Sequence, residues 1–140
     1  MPNEYPNRYE SGSSNIVAIC GLNEGLDWIQ TVNILEKEKE LTKYLLKKLK
    51  ELKNVKLFIP QNEDKLVGVI SIGIEGYLSD EVGKILNDEF DICVRTGFHC
   101  APLVHDFINS KVYNGTVRIS LGYFTSKEDI DTLIEAIKSL

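Results

Sequence analysis

The chain has 140 residues, 43% of them hydrophobic and 26% charged, with a formal net charge of −5. Those proportions are ordinary for a folded domain, and a chain of this length buries roughly 68% of the surface it exposes when unfolded, so one core is expected. The negative balance argues against a nucleic-acid binder, which needs a basic face against phosphates, and no apolar run approaches the ~18 residues of a membrane-spanning helix.

The opening MPNEYPNRYESGSSN is rich in Pro, Asn, Ser and Gly and has no hydrophobic period, which predicts an extended arm over residues 1–15 that ends in a turn. It has neither the basic start nor the apolar stretch of a secretory signal, and the expected compartment is the cytoplasm. Residues 16–140 are then expected to form a single domain. The run IVAICGLNEGLDWI, apolar on most faces, predicts a buried helix from Ile16, with Ser14 or Asn15 as N-cap. A second helix is expected over roughly residues 33–53, where Ile34, Leu41, Leu45, Leu49 and Leu52 form one stripe. VKLFI before Pro60 and VGVISIGI from Val67 to Ile74 predict two strands. Val82, Ile85, Leu86 and Phe90 recur at helical spacing, with Ser79 placed as N-cap. DICVRT predicts a third strand that leads into the loop RTGFHCAPLVH. Beyond it, LVHDFI predicts a helical turn, TVRISLGYF a fourth strand, and SKEDIDTLIEAIKSL a closing amphipathic helix capped by Ser126. Four short strands among helices predict an α+β fold, a small sheet covered by helices. The strand order is not legible from the pattern.

The loop at residues 95–105 gathers Arg95, His99, Cys100 and His105. Cys100 follows a strand end, where side chains are commonly presented to solvent or ligand, and a cation beside it, Arg95 or a protonated His99, favours a thiolate. The residues leave two readings open, a sulfur nucleophile and a small turn cysteine. Cys20 and Cys93 stand among aliphatic residues and read as core filler. Three cysteines without CxxC spacing fit reduced thiols. Zinc on Cys100, His99 and His105 is a lesser alternative, because adjacent residues rarely both reach one metal, and no metal site is expected. Arg118, on an otherwise apolar strand, needs a partner to offset burial. A structural Asp or Glu is the choice the residues favour, and a substrate carboxylate is the other.

Taken together, RYESGSSN, RTGFHCAPLVH and GTVRISLGYFTSKEDID, in this order and with these gaps, resemble the C-terminal small domain of the cysteine desulfurases of the class V aminotransferase family, from about Tyr5 to the chain end. The resemblance implies the small-domain fold of fold-type I pyridoxal phosphate enzymes, conversion of cysteine to alanine, and capture of the sulfur as a persulfide on Cys100. It implies that Arg118 holds the substrate carboxylate, with Arg95 and His99 beside that pocket. Gly12 and Ser13 would reach the cofactor phosphate of the neighbouring subunit in a homodimer. The sulfur would then pass to an acceptor, as in iron–sulfur cluster assembly. The sequence departs from the family pattern at Ser13, where Thr is usual, at Ser14, where Pro or Leu is common, and in YFTSKED, which lacks an Asn after the aromatic residue.

In the family, the lysine that carries pyridoxal phosphate and the acidic partner of its ring nitrogen belong to a preceding large domain, and that lysine follows a histidine. No lysine here directly follows a histidine. The resemblance therefore implies a small domain without its lysine-bearing half, which by itself binds no cofactor and releases no sulfur. The alternative is a noncatalytic sulfur carrier or interaction module that pairs with a separate large domain, prompted by Met1 just before the arm. A third possibility is a structural dimer surface formed by the apolar first helix.

Overall fold

The computed structural model describes residues 3–10 and 12–140, so three residues of the expected arm, 1, 2 and 11, lie outside the described residues. The chain divides into two compact units, residues 1–34 and 35–140.

In the first unit the expected arm contains a short 3-10 turn at Asn7–Tyr9 rather than extended chain throughout. Helix α1 spans Ile16–Thr31, and Asn15 caps it by accepting a hydrogen bond from the Ala18 N–H at 3.1 Å. Its apolar residues were expected to be buried. None is: Ile16, Val17, Ile19 and Leu22 are exposed, and so is Cys20. A helix that is apolar on most faces needs a second layer to cover it, and this unit supplies no other long element among the described residues.

The second unit begins within α2 (Ile34–Lys50) and continues through β1 (Val55–Phe58), β2 (Val69–Ile74), α3 (Ser79–Phe90), α4 (Pro102–Phe107), β3 (Val117–Ser120) and α5 (Lys127–Lys138). The three strands form one antiparallel sheet in the order β1-β2-β3. Side chains alternate across a strand, so the register divides the sheet into two faces. Val55, Leu57, Ile70, Ile72, Ile74, Val117 and Ile119 point to one side. They pack with Leu45 and Leu49 of α2, Val82 and Leu86 of α3, and Ile130 and Ile137 of α5. Phe58, Ser71, Gly73, Thr116 and Arg118 take the opposite side. Cross-strand partners align Phe58, Ser71 and Arg118 in one row.

The helix ends follow local chemistry. Glu81 reaches back to accept from the Leu78 N–H at 2.8 Å, so Leu78 occupies the N-cap position and the expected cap, Ser79, is the first helical residue. The Ser79 hydroxyl instead donates to the Asn114 carbonyl at 2.9 Å. Asp91, at φ 54°, terminates α3 in the left-handed conformation. Ser126 caps α5, as the sequence predicts, accepting from the Asp129 N–H at 3.1 Å.

DICVRT does not form the expected third strand. Of its residues only Arg95 pairs with β3, opposite Arg118, and Gly97 just after it pairs with Thr116 just before β3. Gly97, at φ 89°, then turns the chain away from the edge. What remains is a two-residue rail along β3. Thr96 between them donates to the Asp80 carboxylate of α3 at 2.8 Å, and Asn114 donates to the same carboxylate at 3.2 Å. The rail is held tightly because Gly115, at φ 105°, lies against Gly97: a Cβ there would fall 2.3 Å from the Gly97 carbonyl. Gly115→Ala is therefore expected to lower stability by about 1–3 kcal/mol, through both the disfavoured dihedral and the clash. Urea unfolding checks this as a fall in midpoint with an unchanged slope.

Candidate active site

The rail sets two arginines side by side. Arg95 and Arg118 exchange backbone hydrogen bonds at 3.2 and 2.7 Å, so their side chains leave the same face of the sheet, the one opposite the core. Like charges directly opposite each other weaken an antiparallel pair. An anion between or beside them would reverse that cost. Arg95 also donates through Nη2 to Cys100 Sγ at 3.9 Å.

Thr116 stands two residues before Arg118 and shares its face. The Thr116 hydroxyl and His99 Nε2 form a hydrogen bond of 3.0 Å. His99, Thr116, Arg118, Ser71, Phe58 and His105 line a cleft of about 620 Å³ over this face of the sheet. A somewhat larger groove, about 690 Å³, runs beside α2, but it is lined by lysines, acids and aliphatic residues and carries neither histidine nor cysteine. Chemistry rather than volume marks the cleft.

Two buried polar atoms in the cleft have no hydrogen-bond partner among the described residues, Arg118 Nε and His99 Nδ1. The structural ion pair expected for Arg118 is not found among the described residues. Its cross-strand neighbours are Ser71 on one side and Arg95 on the other, and neither is acidic. A half-buried guanidinium with an unused donor asks for an acceptor from outside the fold. A protonated His99, raised as a possible thiolate partner, is disfavoured in this setting. Burial pushes the His99 ring below its ordinary pKa of 6.5, and the nearby Arg118 charge adds to the effect.

Cys100 does not line the cleft; it lies exposed at the tip of a tight turn. The Ala101 N–H donates to the Phe98 carbonyl at 2.9 Å, closing a four-residue turn. Its central residues, His99 at φ 50° and Cys100 at φ 61°, are both left-handed without being glycine. Such residues cost free energy and persist where their surroundings hold them, often at functional sites. Cys93 is exposed too, contrary to the expectation of core filler. The rail pairs one side of DICVRT to β3 and packs Ile92 and Val94 against the core, which turns Cys93 outward toward Asn87, 3.8 Å away.

The structure thus brings Arg95, His99, Cys100 and Arg118 into one neighbourhood. Gly12 and Ser13 are exposed and belong to the first unit, in the segment before α1. Among the described residues no group of three or more His, Cys, Asp or Glu side chains is arranged to hold a metal ion, and no helix is long and apolar enough to cross a membrane.

The aminotransferase class-V family pattern matches residues 2–133. The chain belongs to the class V aminotransferase family. It is 34% identical over 138 residues to a cysteine desulfurase of Wigglesworthia glossinidia brevipalpis, an alignment that covers 96% of this chain and 32% of that protein. It is 35% identical over 140 residues to a probable cysteine desulfurase of Pyrococcus abyssi, covering 98% of this chain and 34% of the relative. The apo structure of a cysteine desulfurase from Thermococcus onnurineus NA1 superposes with a TM-score of 0.85 at 34% identity, over 100% of this chain and 36% of that one. An Escherichia coli cysteine desulfurase, 23% identical, shares the fold at a TM-score of 0.77. The chain spans about a third of the length of the relatives it matches.

Sequence reasoning overlooked Thr116, Ser71 and Phe58. Thr116 carried a usable signal, because period-two alternation places it beside Arg118 on one face. Ser71 and Phe58 depend on register between strands, which the sequence did not reveal.

The depressed pKa of this class V family member's His99 has a definite consequence. Well above pH 6.5 the ring is neutral in folded and unfolded chains alike and contributes no pH dependence. As pH falls below 6.5 the unfolded chain takes up a proton that the folded ring resists, so stability declines until the folded pKa is passed. The His99 ring resonance is expected to titrate below 6.5. Arg118→Gln should move its midpoint partway back, since burial remains while the charge is gone. A midpoint at or above 6.5 in the unaltered chain would contradict the buried, cation-facing environment.

Proposed function

We propose that this chain is the small-domain part of a pyridoxal phosphate-dependent cysteine desulfurase, in which Arg118 grips the carboxylate of cysteine and Cys100 takes its sulfur. The observation that carries the reading is the half-buried Arg118 whose Nε has no partner among the described residues. A guanidinium is a planar, donor-only fork, and a substrate carboxylate is its natural complement. Arg95, directly opposite, adds a second positive charge beside it. A neutral His99 in the same cleft offers a ring nitrogen, Nδ1, for a further polar contact with the substrate.

These residues fit the substrate end of such a site. Gly12 and Ser13 would hold the cofactor phosphate across a homodimer through backbone N–H and hydroxyl donors. When bound, pyridoxal phosphate supplies an electron sink that weakens the bond between the substrate carbon and its sulfur. The Cys100 thiolate attacks the substrate sulfur; the carbon–sulfur bond breaks and a sulfur–sulfur bond forms. Cys100 thiol plus cysteine becomes Cys100 persulfide plus alanine, with atoms and electrons balanced. The exposed Cys100 then suits delivery of that sulfur to an external acceptor. The described cysteines are free thiols, in keeping with a reducing, cytoplasmic setting.

The sequence has no lysine in the His-Lys motif that carries the cofactor, so this chain alone is expected to be inactive. With pyridoxal phosphate and cysteine it should release no alanine over many turnovers, and catalytic alanine formation would overturn that expectation. Carboxylate recognition is tested without catalysis. L-Cysteine should shift the His99 ring and Arg118 Nε resonances where cysteamine, which lacks the carboxylate, does not. Arg118→Gln should weaken the response at least about tenfold. Equal responses to both compounds would remove the substrate role of Arg118. The exposed thiol also suits the alternative, a noncatalytic sulfur carrier docked on a separate large domain; loading of Cys100 by such a domain that is unaffected by Arg118→Gln would favour it.

A further inference from the structure

We propose that His105 is a positioning residue that holds Cys100 in its left-handed turn; this builds on the sulfur-accepting role proposed for Cys100. His105 is 3% exposed and lies on α4, immediately after the turn. Its Nε2 lies 3.0 Å from the Phe98 carbonyl, and its Nδ1 lies 2.7 Å from the Ser110 hydroxyl. A carbonyl can only accept, so Nε2 carries a hydrogen.

The Phe98 carbonyl is the acceptor that closes the turn. Its oxygen takes two donors, the Ala101 N–H from within the turn and the His105 ring from outside it. The first bond alone leaves two non-glycine residues in a conformation that favours glycine. The second fixes the direction of the carbonyl from a buried side chain and over-determines the turn. The ring is itself fixed: Ser110 is fully buried, its N–H donates to the His105 carbonyl at 3.1 Å, and its carbonyl accepts from Gly115 at 3.2 Å. The Phe98 ring packs edge-on against the imidazole at 5.1 Å. Through these contacts the backbone that presents Cys100 toward Arg95 is tied to the Gly97–Gly115 contact at the end of the rail.

The test is alkylation of the full chain by iodoacetamide, followed peptide by peptide. Cys20, Cys93 and Cys100 are all exposed, so the first two calibrate the third within one molecule. His105→Phe keeps a ring in the core but removes the donor. It is expected to slow Cys100 relative to Cys93 by about fivefold, as the turn relaxes and the thiol leaves Arg95. His105→Gln sets an amide nitrogen near the position of Nε2 and should recover most of the rate. A His105→Phe chain with native far-ultraviolet dichroism and an unchanged ratio would overturn the proposal, and so would equal losses in both variants. Should His105→Phe fail to fold, Ser110→Ala frees the ring from its second bond without emptying the core. The same ratio must then fall, and an unchanged ratio rejects the role. The ratio does not depend on desulfuration: if Cys100 accepts no sulfur while the ratio still falls, the positioning stands and the proposed chemistry does not.

Discussion

Neighbouring side chains on a strand point to opposite faces, and in this small sheet that constraint separates a dry core from a polar site by one residue. Val117 and Ile119 enter the core while Thr116 and Arg118 between and beside them enter the cleft. The same holds across the register, where Ile70 and Ile72 flank Ser71. Because a shift of one residue would exchange the two faces, the packing of Leu45, Leu49, Val82 and Leu86 on the apolar side also fixes where Arg118 emerges. Helix burial and placement of the site are one energetic event.

The elements with strong periodicity were legible. The leucine stripe of α2, the strand β2 and the Ser126 cap of α5 each announced themselves through local residues whose preference agrees with the tertiary outcome. Two expected elements failed where strand pairing or a missing layer decided the matter. DICVRT has the composition of a strand, yet only its Arg95 pairs with β3, and Gly97 at φ 89° then turns the chain away. α1 has the composition of a buried helix, but its burial depends on what covers it. Cys20 and Cys93 fell with those two readings, since each was judged by aliphatic neighbours in sequence rather than by the face it occupies. Of the site, Arg95, His99, Cys100 and Arg118 were nameable from motifs. Ser71 and Phe58, supplied by strand register, were not.

The polar side of the sheet has an unusual electrostatic balance for a chain whose formal net charge is −5. Arg95 and Arg118 are cross-strand partners, Arg118 keeps an unused donor, and the adjacent His99 is held from acquiring a charge by burial and by Arg118 itself. The acids near this region are engaged elsewhere: Asp80 receives Thr96 and Asn114, binding the rail to the start of α3. Acidic groups thus support the backbone while basic groups face the opening, a division that concentrates anion affinity in one place.

The rail also has a meaning for the sheet as a whole. A strand with unpaired N–H and C=O groups along its outer edge is a template on which another chain can assemble. At the far side of the sheet β1 is only four residues long, carries Lys56 and is followed closely by Pro60, all features that discourage such pairing. On the β3 side the guard is the backbone of Arg95 and Gly97, the segment that leads straight into the Cys100 turn. A loop free enough to swing its cysteine away would, if the motion reached Gly97, also uncover a strand edge. Protection against aggregation therefore sets an inner limit on how far back along the chain that loop can open.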